Sequence, residues 1–163
     1  MWEYVNGIGS IVGLITGAFV IWERFLRYTP SAFLIAQPYI PGGAQKGAYL
    51  RIINRSERPI IVRWPTGMKD HTLSIARDHS TRSIIRTILE GDLATAIDGS
   101  SEHLFPVHTP NNFPEIPNDG TMSIEVSWRF AQPLIYKHDR TLKVSISKEA
   151  YRVLLDLEDG DMD

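Results

Sequence analysis

Hydrophobic and polar residues follow two different patterns along the chain, and the change comes at Pro30. Over residues 5–22 the side chains are small or apolar, and only Asn6, Ser10 and Thr16 are polar. After Pro30, short apolar runs are separated by proline, glycine and asparagine. An unbroken apolar run is typical of a membrane-spanning helix, whereas short runs between turn residues are typical of β-strands.

The first pattern predicts a single transmembrane helix over residues 5–22. A helix of that length extends about 27 Å, close to the roughly 30 Å of a hydrocarbon core. Trp2, Tyr4, Trp22 and Tyr28 flank the run, as aromatic residues do at membrane interfaces. Two alternatives stay open. One is a cleaved signal peptide, although the leader has no basic residue, and the other is a buried helix of a soluble domain.

The charges on either side of this run predict its orientation. Glu3 precedes the run, and Arg24 and Arg27 follow it directly. Because positively charged residues favour the cytoplasmic side, we expect the rest of the chain in the cytoplasm. The predicted location is the inner (cytoplasmic) membrane of a bacterial cell, with the lipid bilayer as a partner.

Glycine recurs at every fourth residue of the apolar run, at Gly9, Gly13 and Gly17. Residues four apart share a face of a helix, so this face has no side-chain bulk. In lipid, such a face lets two helix backbones approach closely. We therefore expect helix packing through these glycines, in a homo-oligomer or against a membrane-protein partner.

The second pattern predicts a mainly β domain. In residues 121–130, Met122, Ile124 and Val126 alternate with polar residues, as in a half-buried strand. The spacing of the runs favours an antiparallel β-sandwich of immunoglobulin-like type or a barrel. Strands are predicted near residues 32–39, 48–54, 59–64, 72–77, 82–89, 121–130 and 141–147.

The segments between and after these strands give further expectations. Residues 54–58 are predicted to form a hairpin loop. Residues 99–119 contain four prolines, so we predict a long loop without a central strand and with at most a short edge strand at 104–107. A short helix is predicted over residues 148–157, with Ser147 as its N-cap. Its expected inward face consists of Ala150, Val153, Leu154 and Leu157.

The chain therefore divides into three parts. The predicted parts are a transmembrane helix with its juxtamembrane segment over residues 1–29, a β-sandwich with a short C-terminal helix over 30–157, and an acidic tail over 158–163.

Residue composition excludes several classes of chemistry. The chain has no cysteine, which rules out disulfides and thiolate metal sites. Its five histidines do not form an HExxH motif, and the chain contains neither a GxSxG elbow nor a glycine-rich nucleotide-binding motif. We therefore predict no metal, no cofactor and no enzymatic activity. A hydrolase would need a pocket that unites His103 or His108 with a carboxylate.

Charge is unevenly distributed, although the net charge is only −2. Residues 31–90 contain nine basic and four acidic residues, whereas residues 91–163 contain six and thirteen. The basic half includes a candidate anion-binding cluster, which consists of Arg77, His79, Arg82 and Arg86.

Two arginines of this cluster suit a small anionic ligand. Arg82 and Arg86 lie four residues apart and share a face of a strand, where guanidinium groups can bind phosphate bidentately. The expected ligand is small and nucleotide-like, and duplex nucleic acid is not expected. Alternatively, these arginines are ordinary solvent-exposed residues, or they face anionic lipid.

Together these patterns predict a non-catalytic, single-pass, membrane-anchored β-sandwich that acts as a binding or interaction module. In a sharper version, an anionic ligand triggers packed helices to disrupt the membrane, so that the protein is an effector. The alternative is a structural subunit of a larger membrane complex.

Overall fold

The structure is a computed structural model that describes residues 12–22, 28–39, 43–65, 70–76, 93–131 and 138–156. Within these ranges, eight strands form two four-stranded antiparallel sheets with a shared core. The strands are β1 (Ser31–Pro38), β2 (Lys46–Ile53), β3 (Ile60–Trp64), β4 (Ser74–Ile75), β5 (Leu93–Ile97), β6 (Glu102–His108), β7 (Thr121–Phe130) and β8 (Arg140–Ser147).

Sheet A has the strand order β1-β2-β6-β4, and sheet B has the order β5-β3-β7-β8. Among the described strands, only the pairs β1–β2 and β7–β8 are consecutive neighbours within one sheet. Every other pair of consecutive described strands has one strand in each sheet. The prediction of two antiparallel sheets is confirmed, and the barrel alternative is wrong because each sheet keeps its own edge strands.

The core lies between the sheets and is built by alternation along the strands. In β2, Leu50 and Ile52 are fully buried, and in β7 every second residue from Met122 to Trp128 is buried. Successive side chains of a strand point to opposite faces of the sheet. The face that carries the apolar residues therefore packs into the core, and the face that carries the polar residues remains outside. The predicted inward residues of β7 are confirmed.

The predicted hairpin loop at residues 54–58 is instead a crossover between sheets. β2 belongs to sheet A and β3 to sheet B. Asn54 and Ser56 are fully buried in this crossover, where their polar groups bond to main-chain atoms. A run of polar residues therefore marked a corner of the sandwich rather than an exposed turn.

The prediction that residues 99–119 contain no central strand is also wrong. β6 lies inside sheet A, between β2 and β4, and includes Pro106. The Pro106 carbonyl accepts a hydrogen bond from the Ala76 amide at 3.0 Å, so its nitrogen points to the same side. β4 ends at Ile75, so Pro106 lies opposite the residue that follows this strand. The hydrogen bond that proline cannot donate is therefore lost at the end of the ladder, where its loss costs little free energy.

Two further strand predictions differ from the structure or lie outside the described residues. β4 is only two residues long where residues 72–77 were predicted to form a strand, and the predicted strand at 82–89 lies outside the described residues. β5 was not predicted, because its sequence LATAI contains two alanines, a residue that is depleted in strands.

The described residues include two helices besides the sheets. Residues 12–22 form α1 and are exposed throughout. Among the described residues, no helix is both long enough and apolar enough to cross a membrane. The helix predicted over residues 5–22 is therefore confirmed for 12–22, and its membrane-spanning character is not confirmed.

The second helix, α2 (Lys148–Leu155), begins as predicted at the N-cap Ser147, whose hydroxyl accepts a hydrogen bond from the Ala150 amide at 3.2 Å. Its predicted inward face is wrong. Val153 is 70% exposed, whereas Tyr151 is 2% exposed and joins the core. The acidic tail at 158–163 lies outside the described residues.

Candidate functional site

Helix α1 carries seven of the eleven large hydrophobic residues that are exposed in the described part of the chain. Its large side chains are 47–75% exposed, and no described polar face offsets them. A helix that is apolar on all sides belongs in apolar surroundings. The exposed residues are Val12, Leu14, Ile15, Phe19, Val20, Ile21 and Trp22.

The glycine face of α1 is open. A Cβ atom added to Gly13 or to Gly17 would meet no atom within 4 Å. The third predicted packing residue, Gly9, lies outside the described residues. The hydroxyl of Thr16 donates to the Val12 carbonyl at 2.8 Å, so the helix itself satisfies this polar group.

The predicted anion-binding residues cannot be placed. Arg77, His79, Arg82 and Arg86 all lie in the range 77–92, outside the described residues.

The histidines of the described part of the chain are candidates for the two kinds of site that histidine commonly forms, a metal site and a catalytic pocket. No group of three or more potential metal ligands occurs there. His103 lines a cavity of about 310 Å³, called here the His103 cavity, together with Trp64, Leu93 and Phe105. The described lining of this cavity includes no carboxylate, and His108 is not part of it. This cavity therefore does not unite His103 with a carboxylate of the described residues.

The outer face of sheet A is largely apolar. Strand pairing places Phe33, Arg51 and Leu104 in one row across it, and Ile35, Tyr49 and Pro106 in the next. Phe33 is 37% exposed and the other apolar residues are half-buried. Burial raises the pKa of the Tyr49 phenol, and Tyr39 raises it further.

One charged pair interrupts this apolar face. Nε of Arg51 donates to a Glu102 carboxylate oxygen at 2.8 Å, and the Arg51 guanidinium lies 5.6 Å from the centre of the Phe33 ring. The two opposite charges cancel, so the pair adds no net charge to this face.

The outer face of sheet B is polar by contrast. Glu125 lies opposite Lys143 across β7 and β8, and Nε of Arg129 lies 3.9 Å from a carboxylate oxygen of Asp139. Ser123, Ser127, Thr141 and Ser145 occupy the same face. Sheet B therefore presents a surface suited to water and sheet A a surface suited to a partner.

Sequence reasoning did not identify the outer face of sheet A, although a signal is present. In β1, Phe33, Leu34 and Ile35 are consecutive and apolar, as are Ile52 and Ile53 in β2. A strand with apolar residues at consecutive positions has both faces apolar, which is typical of strands covered on both sides.

Comparisons of the chain with protein-family models, with curated proteins and with solved structures found no match.

Proposed function

We propose that this protein is a non-catalytic interaction module in which a β-sandwich is attached to the inner membrane of a bacterial cell by its N-terminal helix. The exposure of α1 carries this proposal. Leu14 and Ile21 are 75% and 71% exposed, and burial of each such side chain in an apolar phase contributes roughly 1.5–3 kcal/mol. A bilayer provides that phase for every side of the helix at once.

The polar content of α1 supports the same proposal. In lipid, an unsatisfied hydroxyl is costly. Thr16 avoids this cost because its hydroxyl bonds to the Val12 carbonyl within the helix. The open surface around Gly13 and Gly17 supports the further proposal that α1 packs against a second helix, either of another copy or of a membrane-protein partner.

The surface of the sandwich supports an interaction role rather than catalysis. Among the described residues, the outer face of sheet A combines partly exposed apolar residues with the ion pair of Arg51 and Glu102. Contact surfaces of proteins commonly combine an apolar centre with few unpaired charges. In the sharper form of the proposal, an anionic ligand bound at Arg77, Arg82 and Arg86 changes the packing of the membrane helices and makes the bilayer leak. The segregation of basic residues into residues 31–90 supports this form.

Membrane attachment is tested by fractionation of the full-length chain. We expect it to stay in the membrane pellet after an alkaline carbonate wash and to be released by detergent. Replacement of Leu14 and Phe19 together by lysine should move it to the soluble fraction, because both side chains are more than 60% exposed and support no packing in the sandwich.

Val153→Lys is the matched control, because Val153 is equally exposed at 70% but lies on α2. This variant should stay in the pellet. Release of the unchanged protein by carbonate, or release of the Val153→Lys variant to the same extent as the double variant, contradicts membrane attachment through α1.

Orientation is tested with single cysteines, which the cysteine-free chain allows without background. A cysteine at exposed Ser145 should react with a membrane-impermeant thiol reagent only after the cells are opened. Labelling of Ser145→Cys in intact spheroplasts places the sandwich outside and contradicts the proposed orientation.

A further inference from the structure

Strand β1 forms one edge of sheet A, and among the described residues no strand pairs with its other side. It is eight residues long, it contains no charged residue, and its pairing with β2 has no bulge. Charged side chains, bulges and short length are the usual protection of an edge strand, because an unpaired edge can bind another strand. The length and composition of β1 therefore suit pairing with a further strand.

The pairing of β1 with β2 determines which main-chain groups lie on the free side. The Tyr39 amide donates to the Gln45 carbonyl at 3.0 Å, and residues two apart in a strand direct their N–H and C=O groups to the same side. The odd-numbered residues of β1 therefore bond to β2, and the even-numbered residues direct their groups away from it. The residues with free amide groups are Ala32, Leu34 and Ala36.

Two prolines end this free edge at equal distances from its centre. Pro30 directly precedes β1 and Pro38 is its last residue, and proline has no N–H to donate. Each lies four residues from Leu34. The free donors of β1 are thus arranged symmetrically about Leu34, with a proline beyond them on either side.

The side chains along this edge are less buried than those opposite them in β2. Leu34 is partly buried, whereas Leu50, which lies opposite, is fully buried. Ala32 is likewise partly buried, and Ile52 opposite it is fully buried. Phe33 points outward and is 37% exposed. β1 therefore keeps accessible apolar surface that a further strand would cover.

A second copy of β1 fits this edge in the antiparallel direction. With Leu34 opposite Leu34 of the second copy, Ala32 lies opposite Ala36, and each such pair can exchange two hydrogen bonds. Pro30 then lies opposite Pro38, so that the pairing ends on both chains where the donors end. Because β1 carries no charge, the two copies bring no like charges together.

The outward side chains match in the same register. Phe33 lies opposite Ile35 of the second copy and Ser31 lies opposite Gln37, so that apolar residues meet apolar ones and polar residues meet polar ones. A pair of an aromatic and a β-branched residue across two strands is favourable. The arrangement repeats about a two-fold axis, as in most dimers. This self-complementarity favours a second copy of the chain over an unrelated strand.

We propose that β1 pairs with β1 of a second copy, antiparallel and centred on Leu34, so that the two A sheets join edge to edge into one continuous sheet. This contact goes beyond the proposed packing of α1. It depends neither on that packing nor on membrane attachment.

The register is tested with single cysteines in the full-length, otherwise cysteine-free chain. Chains with Phe33→Cys and with Ile35→Cys carry different tags, are produced in the same cells and are oxidised mildly in detergent. Directly opposite residues lie within disulfide range, whereas residues displaced by two along the other strand do not. We expect the mixed disulfide between the two chains to exceed either disulfide between like chains at least about fivefold.

A proline variant tests the main-chain hydrogen bonds. The Ala36 N–H makes no bond to β2, so Ala36→Pro leaves sheet A intact while its ring blocks the second copy. In both cysteine chains it should lower the yield of the mixed disulfide at least about fivefold. Ala36→Ser is the matched control, because it keeps the N–H, and it should leave the yield unchanged. Near-UV circular dichroism confirms that both variants are folded.

A charge exchange tests the same contact without a change in the main chain. Phe33→Lys with Ile35→Lys places like charges opposite each other across the two copies, whereas a chain with Phe33→Glu and Ile35→Glu is complementary to it. In the Gly13→Leu background, which opposes packing of α1, co-purification of differently tagged chains measures pairing. We expect the lysine and glutamate chains to co-purify at least about tenfold more than two lysine chains.

The proposal is wrong if the three disulfides form equally or none forms, if folded Ala36→Pro leaves the mixed yield unchanged, or if like and opposite charges co-purify equally. Ser145→Cys is the control for chance collisions, because Ser145 is exposed on β8 in the other sheet, and a disulfide there as abundant as the mixed one also contradicts it. The register preference is expected in Gly13→Leu as well, so a failure of helix packing and a failure of β1 pairing are separate results.

Discussion

Asn54 joins the two sheets through hydrogen bonds at one end of the sandwich. Its Nδ2 donates to the carbonyls of Arg58 and Asp98, both at 2.8 Å, and its Oδ1 accepts from the Ser56 amide at 3.0 Å. Its own amide donates to the Ser101 carbonyl at 2.8 Å. One side chain thus fixes the β2–β3 crossover against the turn between β5 and β6.

We expect Asn54→Ala to lower the free energy of unfolding by about 2–4 kcal/mol, because buried carbonyls lose their donors and a cavity remains. Asn112→Ala is the control, since the Asn112 side-chain oxygen accepts one long bond from the described residues, from the His71 amide at 3.4 Å, and its loss should cost less than about 0.5 kcal/mol. Urea unfolding followed by near-UV circular dichroism measures both. Equal losses in the two variants contradict this role of Asn54.

Tyr151 makes stability depend on alkaline pH. Burial raises the pKa of its phenol above the ordinary 10.0, and Tyr39 raises it further. The unfolded chain therefore releases this proton first as the pH rises. The stabilisation is complete below about pH 10 and is lost as the pH rises from there through the folded-state pKa.

We therefore expect the free energy of unfolding to fall above pH 10 by up to about 1.4 kcal/mol per pH unit more in the natural protein than in Tyr151→Phe. Unfolding measured between about pH 8 and 11 in both proteins tests this expectation. Parallel pH curves count against it, whatever the absolute stability of the variant.

At the scale of elements, α1 offers a clean test of helix association. Because a Cβ at Gly13 meets nothing within 4 Å, Gly13→Leu causes no clash within one chain. Any loss of self-association then reflects contacts between chains. We expect Gly13→Leu to shift the protein from oligomer to monomer in detergent, as measured by light scattering or chemical cross-linking.

Ile15→Phe is the control for this experiment. Ile15 lies two residues from both Gly13 and Gly17, on the opposite side of the helix, so added bulk there should leave the oligomer intact. A monomeric natural protein, or equal dissociation by both variants, contradicts packing through the glycine face.

The sequence predicted those elements whose structure depends on residues adjacent in the chain. It did not predict those whose structure depends on elements that are distant in the chain and adjacent in space. The alternation in β7 and the N-cap at Ser147 depend on adjacent residues, and both were found. Pro106 in β6 is tolerated only because β4 stops short beside it, which no local pattern reveals.

The inward face of α2 depended on the neighbouring loop. Tyr151 packs against Phe113, with ring centres 5.9 Å apart, and Lys148 Nζ donates to the Ile116 carbonyl at 2.7 Å. The proline-containing segment thus turns Tyr151 inward and leaves Val153 outside. The His103 cavity was hidden from sequence for the same reason, because its lining comes from β3, β5, β6 and Ala76, which are separate in the sequence.

At the scale of the whole molecule, the proposed binding of an anion depends on the positions of the arginines and not only on their number. We expect the unchanged protein to bind ATP in calorimetry and Arg82→Glu with Arg86→Glu to lose at least about tenfold in affinity, since a bidentate phosphate contact is replaced by repulsion.

Arg55→Glu with Arg58→Glu is the charge-matched control, because both residues are exposed in the same basic half of the chain. It should retain ATP binding. Equal loss in the two double variants indicates a general field effect, and retention in both removes the anion site from the proposal.

The two ends of the sandwich carry different structural features. Ser31, where β1 begins after the N-terminal segment, pairs with Ile53, next to the hydrogen bonds of Asn54. Helix α2 and the proline-containing loop lie toward the other end, where β7 starts opposite the end of β8.

The bonds of Asn54 have a mechanical consequence. Tension or tilt transmitted along the N-terminal segment enters the sandwich at Ser31, one residue pair away from the corner where both sheets are tied together. We therefore expect a load applied at Ser31 to pass through the pairing of β1 with β2 to this corner, and from the corner to both sheets.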